Sequence, residues 1–105
     1  MAAMYAIAFD LDTEMLTKTY RNDSYNNAYS DISKTLTSHG FSKQQGSMYF
    51  GNINSTAVDC TLAIIDLAST YDWFSVSVRD VRMLRVEDNN DLKPIIEKIA
   101  NIKSE

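Results

Sequence analysis

The chain has 105 residues, 45% of them apolar and 23% charged, with a formal net charge of −4. That length suits one domain spanning residues 1–105, and the composition is that of a globular protein rather than a core-poor disordered chain. The acidic balance argues against avid, non-specific binding to nucleic acid, which needs clustered Lys and Arg to displace counterions.

A single cysteine and a single histidine, Cys60 and His39, rule out an internal disulfide and leave no zinc-type ligand set within the chain. Cys60 lies in an apolar helical pattern, where a buried, chemically idle thiol is expected. No apolar run approaches the roughly 18 residues that cross a bilayer, and Met1-Ala2-Ala3-Met4-Tyr5 lacks the features of a secretory signal. A cytoplasmic protein is expected.

Residues 4–12 alternate in size. Tyr5, Ile7, Phe9 and Leu11 point one way, and Met4, Ala6, Ala8 and Asp10 the other, which predicts a central strand with one bulky face and one small face. Residues 13–23 are polar and irregular. Asn22-Asp23-Ser24 offers N-caps for a helix of about residues 24–38, whose apolar stripe is Tyr25, Ala28, Tyr29, Ile32 and Leu36. That helix ends at His39-Gly40, with glycine supplying the left-handed terminal residue and His39 facing the helix dipole.

Residues 41–45 and 47–52 read as a hairpin turning near Gly46. Asn54-Ser55 then caps a well-buried helix to about Ser69, with Val58, Leu62 and Ile65 on one line and Cys60, Ile64 and Leu67 beside it. After Tyr71-Asp72-Trp73-Phe74, residues 78–87 form the last core strand. Asp91 caps a terminal helix with Pro94 in its first turn and Ile95, Ile96 and Ile99 on its apolar side.

The order β-α-β-β-α-β plus a terminal helix is the ferredoxin-like α+β pattern, with antiparallel sheet order 4-1-3-2 and both main helices on one face. The other face is bare, and an isologous homodimer is the commonest way to cover it. With Phe9 under the helices, Asp10 lies on the bare face. If Met48 and Phe50 are the core residues of the third strand, Ser47 and Tyr49 turn outward beside Asp10. A carboxylate, a hydroxyl and a phenol then share one surface. Two copies of Asp10 near a two-fold axis can bind a divalent cation or relay a proton. Arg79, Arg82 and Arg85 form the densest cationic segment, yet at most two can share a strand face.

Four segments, Met4-Tyr5-Ala6-Ile7-Ala8-Phe9-Asp10-Leu11, Ala28-Tyr29-Ser30-Asp31-Ile32, Gln45-Gly46-Ser47-Met48-Tyr49 and Ser77-Val78-Arg79-Asp80-Val81-Arg82, together resemble the virulence-associated protein D (VapD) family of bacteria. The resemblance runs from about Met4 to Asp88. It implies a small ferredoxin-like homodimer, similar in fold to the small ribonuclease-like subunit of the CRISPR adaptation machinery. It also implies an endoribonuclease toxin acting on RNA and paired with a small antitoxin protein.

Carried onto this chain, the resemblance implies catalytic Asp10, Ser47 and Tyr49, a phosphate contact at Arg79, and Asp10 as the ligand of a divalent ion such as Mg²⁺. Met1-Ala2-Ala3 precedes the family-like start, and residues 12–23 are variable loop, where Asp12 and Glu14 either help hold a cation or repel a phosphate backbone. The alternative function is a non-catalytic dimeric module that binds a protein partner, a reading favoured by the acidic balance and the lack of a histidine-based catalytic set. No membrane association is expected under either reading.

Overall fold

Alternation in the opening strand sets the architecture. In the computed structural model, which describes residues 4–20 and 25–104, Ile7, Phe9 and Leu11 are buried on one side of β1 (Met4–Leu11), while Asp10 on the other side is exposed. Each such large apolar side chain contributes about 1.5–3 kcal/mol when fully buried.

The remaining elements are α1 (Thr13–Thr19), α2 (Asn26–Ser38), β2 (Phe41–Gln45), β3 (Met48–Gly51), α3 (Ala57–Thr70), α4 (Asp72–Ser77), β4 (Val78–Val86) and α5 (Lys93–Lys103). All strand pairs are antiparallel and the order is β2-β3-β1-β4, which is the expected 4-1-3-2 read from the other edge. The fold is ferredoxin-like with an added C-terminal helix.

The core lies between the sheet and α2 and α3. Ala28, Ile32 and Leu36 of α2 meet Cys60, Ala63 and Leu67 of α3 over Ile7, Phe9, Phe41 and Tyr49. Gly40 ends the α2 turn at φ +88° as expected, and Gly46 turns the hairpin at φ +49°. Gly51 serves a different need: a Cβ there would meet the Ser55 side chain at 2.7 Å, so only glycine lets the α3 approach lie this close to β3. The His39 ring bonds the Asp66 carboxylate across to α3 at 2.8 Å, so its partner is a side chain rather than the helix dipole alone.

Several expectations are corrected. The polar segment after β1 is partly helical: Asp12 caps α1 by accepting from the Glu14 and Met15 amides at 3.0 and 3.1 Å, and Leu16 anchors it in the core. One buried residue in seven leaves no periodicity for sequence reasoning to detect. Helix α4, six residues long with Phe74 and Ser77 buried, is too short for a period to show.

The cap of α3 is Thr56, which forms a reciprocal capping box with Asp59, not Asn54-Ser55. The line Val58, Leu62 and Ile65 is also exposed, at 64%, 50% and 54%, so α3 buries only half of its apolar arc. The proposed caps Asn22-Asp23-Ser24 and the leading Met1-Ala2-Ala3 lie outside the described residues. The cap of α5 is Leu92 rather than Asp91, which stands one residue earlier and accepts from the Lys93 amide at 3.0 Å. Among the described residues, no helix is long and apolar enough to cross a membrane.

Candidate functional site

Residues directly opposed across an antiparallel pair share a face. Ala6 opposes Phe50 on β3 and Leu84 on β4, Ala8 opposes Met48 and Arg82, and Asp10 opposes Asp80. The bare face therefore has an apolar field formed by Phe50, Met48, Leu84 and the two alanines. At the C-terminal end of β1 it ends in the carboxylates of Asp10 and Asp80 and the guanidinium of Arg82.

This register reverses the expected parity of β3. Tyr49 opposes Ile7, is 2% exposed and stacks on Phe9 with ring centroids 6.1 Å apart, so it belongs to the core rather than beside Asp10. Met48 and Phe50, expected inside, line the bare face. All three residues are large and largely apolar, so size alone leaves the phase of the strand open.

Ser47 sits in the hairpin turn, and its carbonyl accepts from the Phe9 amide at 3.1 Å. It borders a shallow hollow of about 470 Å³ with Ala8, Gly46 and Met48, one residue along β1 from Asp10. Arg79 occupies the irregularity where the β1–β4 register shifts, and its Nη2 lies 3.8 Å from Asp12 Oδ2. Asp12 is thus committed to capping α1 and to Arg79, and Glu14 pairs with Lys18 at 3.6 Å.

Sequence reasoning missed Asp80 and Arg82 as a unit. They are two apart, hence on one face, and Arg82 Nε donates to Asp80 Oδ2 at 2.9 Å. Their spacing was visible. Their position opposite Asp10 and Ala8 depends on register, which the sequence does not spell out. Two carboxylates directly opposed repel, and the Arg82 contact offsets part of that repulsion; as an exposed pair it adds little to stability.

Burial first, then the charges of Tyr25 and Asp10, push the Tyr29 hydroxyl above its ordinary pKa, and the Tyr29 side chain packs against the covered core. Burial, with a smaller effect from Asp59, likewise pushes the Cys60 thiol up and keeps it in its unreactive form.

Among the described residues, no three His, Cys, Asp or Glu side chains cluster to hold a metal ion. The bare face offers two opposed carboxylates, Asp10 and Asp80. That is too few donors for a dedicated cage, but it suits a hard cation such as Mg²⁺, which is held by one or two carboxylates and keeps its waters. A separate cleft of about 680 Å³ between Tyr20 and Trp73 contains none of Asp10, Ser47, Tyr49 and Arg79, although Asp31 of the second family-like segment lines it.

No family model matches the chain. It is 48% identical over 93 residues to Endoribonuclease VapD 2 of Riemerella anatipestifer, covering 89% of this chain and 99% of that protein. It is 50% identical over 93 residues to an Endoribonuclease VapD homolog of Helicobacter pylori, covering 89% and 96%. Against Endoribonuclease VapD of Dichelobacter nodosus the identity is 45% over 93 residues, covering 89% and 97%.

Proposed function

The chain belongs to the VapD family of endoribonucleases, and from that membership we propose that it cuts RNA at a site formed around Asp10 on the bare face of the sheet. The observation that supports this reading is the pairing of Asp10 with Asp80 next to Arg82, at the edge of an apolar field that needs a partner. A homodimer through that face buries Phe50, Leu84 and Met48 and draws two acidic ends toward one axis. The small Ala6 and Ala8 let the second sheet approach closely.

In this reading Asp10 takes the proton of a ribose 2′-hydroxyl. The freed oxygen forms a bond to the adjacent phosphorus as the bond from phosphorus to the 5′-oxygen breaks, and that oxygen takes a proton from water. Arg82 and Arg79 face the charge that gathers on the phosphate.

A Mg²⁺-type ion would be held by Asp10 and Asp80 and would supply charge neutralisation at the phosphate. Ser47 borders the groove and contacts the RNA strand. Tyr49 acts through packing, not chemistry. The toxin role and a small antitoxin partner rest on the family resemblance.

The test is incubation of purified protein with RNA, with and without a chelator, beside Asp10→Asn. Loss of cutting by the folded variant is the expected result. Undiminished cutting removes Asp10 from the site, and absence of cutting by the unaltered protein across varied RNAs, buffers and metals, with stable capture of a protein partner, favours the non-catalytic module.

A further inference from the structure

Residues of α1, α2, α3 and α4 wall the cleft of about 680 Å³, which the chemistry around Asp10 does not use. Its volume is within the range of ligand sites, roughly 300–1,000 Å³. Three aromatic rings line it. Trp73, the one tryptophan of the sequence, packs at centroid separations of 5.2 Å from Tyr20 and 5.1 Å from Tyr71.

Two carboxylates, of Asp31 and Asp72, share the lining. Asp31 Oδ2 accepts from the Tyr20 hydroxyl at 2.7 Å, a bond that joins acid and ring into one unit. Among the described residues, neither carboxylate has a Lys or Arg within ion-pair distance. Lys18 also lines the cleft, but it lies 3.6 Å from Glu14 and so already has a counter-charge.

We propose that this cleft binds the guanidinium of an arginine presented by a basic segment of a partner protein. Ring faces carry negative quadrupole charge, so the aromatic walls and the unpaired carboxylates favour the same guest, a cation. A guanidinium suits both at once: planar and weakly hydrated, it lies on a ring while its N–H fork donates to a carboxylate. The cleft has room for the backbone around the arginine as well as its side chain, which favours a peptide over a small free cation. The net charge of −4 steers a basic segment toward the molecule.

Other guests fit less well. A phosphate backbone would meet two carboxylates and no unpaired cation. A nucleobase held between two rings needs an open parallel slot, and Trp73, edge-on to Tyr20 and in contact with Tyr71, forms one with neither. Asp31, which belongs to a family-like segment and has no part in the chemistry around Asp10, gains a role here as a ligand for the cation.

The test titrates the full-length protein with acetylated, amidated tetra-arginine, reading Trp73 emission and, in parallel, the heat of binding. The expected result is a saturable change that weakens as salt is raised, with Asp72→Asn binding about tenfold more weakly, the scale of one charge-assisted hydrogen bond. Asp72 is exposed, so the variant should fold as the unaltered protein does. Glu97→Gln on α5 removes the same charge elsewhere and should leave binding unchanged.

Equal weakening by Asp72→Asn and Glu97→Gln reduces the contact to net charge and overturns the site. Equal affinity for tetralysine overturns the guanidinium as the recognised group. Tighter binding of spermidine or of AMP than of the peptide overturns the proposal in favour of a polyamine or a nucleobase, and no saturable binding overturns it outright. RNA cutting is not part of the readout, so failure of the Asp10 site and failure of the cleft are told apart.

Discussion

The two faces of the sheet are made from the same strands yet answer to different demands. The covered face carries Ile7, Phe9, Leu11, Phe41 and Tyr49, all at most 7% exposed, and its chemistry is packing. The bare face alternates with it residue by residue, carrying Ala6, Ala8 and Asp10 on β1, Met48 and Phe50 on β3, and Asp80, Arg82 and Leu84 on β4. A period of two separates the packed side from the bare side within single strands, so neighbouring residues should respond to substitution in different ways.

The sharpest contrast is in activity. Asp10→Asn should lower RNA cutting by about 100-fold or more, the typical worth of a positioned acid–base group, with an unchanged melting curve. Next comes the covered face: Tyr49→Ala should cost about 3–5 kcal/mol in denaturant unfolding, whereas Tyr49→Phe should keep both the fold and the cutting rate. Equal loss of cutting by Tyr49→Phe would return that phenol to the chemistry and break the division between faces.

Gly51→Ala should cost about 1–3 kcal/mol, because the added methyl meets Ser55 and Phe41 and backbone or side chains must shift. The smallest effect lies farthest from both faces. The His39 hydrogen bond, then that of Thr70, holds the Asp66 carboxyl below its ordinary pKa. A depressed carboxyl stabilises the fold above its unfolded-state value, and that contribution disappears as pH falls through its folded-state value. His39→Ala should therefore lower stability slightly at neutral pH and flatten its decline below about pH 4, the variant and the unaltered protein converging in acid.

How far the sequence could be read follows the same division. Strand β1 was legible because its covered side is large and its bare side small, so size and polarity agree on the phase. Strand β3 was misread because Met48, Tyr49 and Phe50 are all large, and both of its faces attract apolar groups for different reasons. Helix α2 declared itself by a stripe and a glycine stop. Helices α1 and α4, seven and six residues long, are too short for a period to show. Asp10 was found from alternation alone, but Asp80 and Arg82 depended on the β1–β4 register.

The most direct measurement is solution mass together with RNA cutting for Leu84→Glu, which places a charge in the apolar field without touching the covered core. The expected result is a folded monomer whose cutting falls in step with the loss of dimer. A folded monomer that cuts RNA at the unaltered rate would contradict the claim that the bare face must be paired to act.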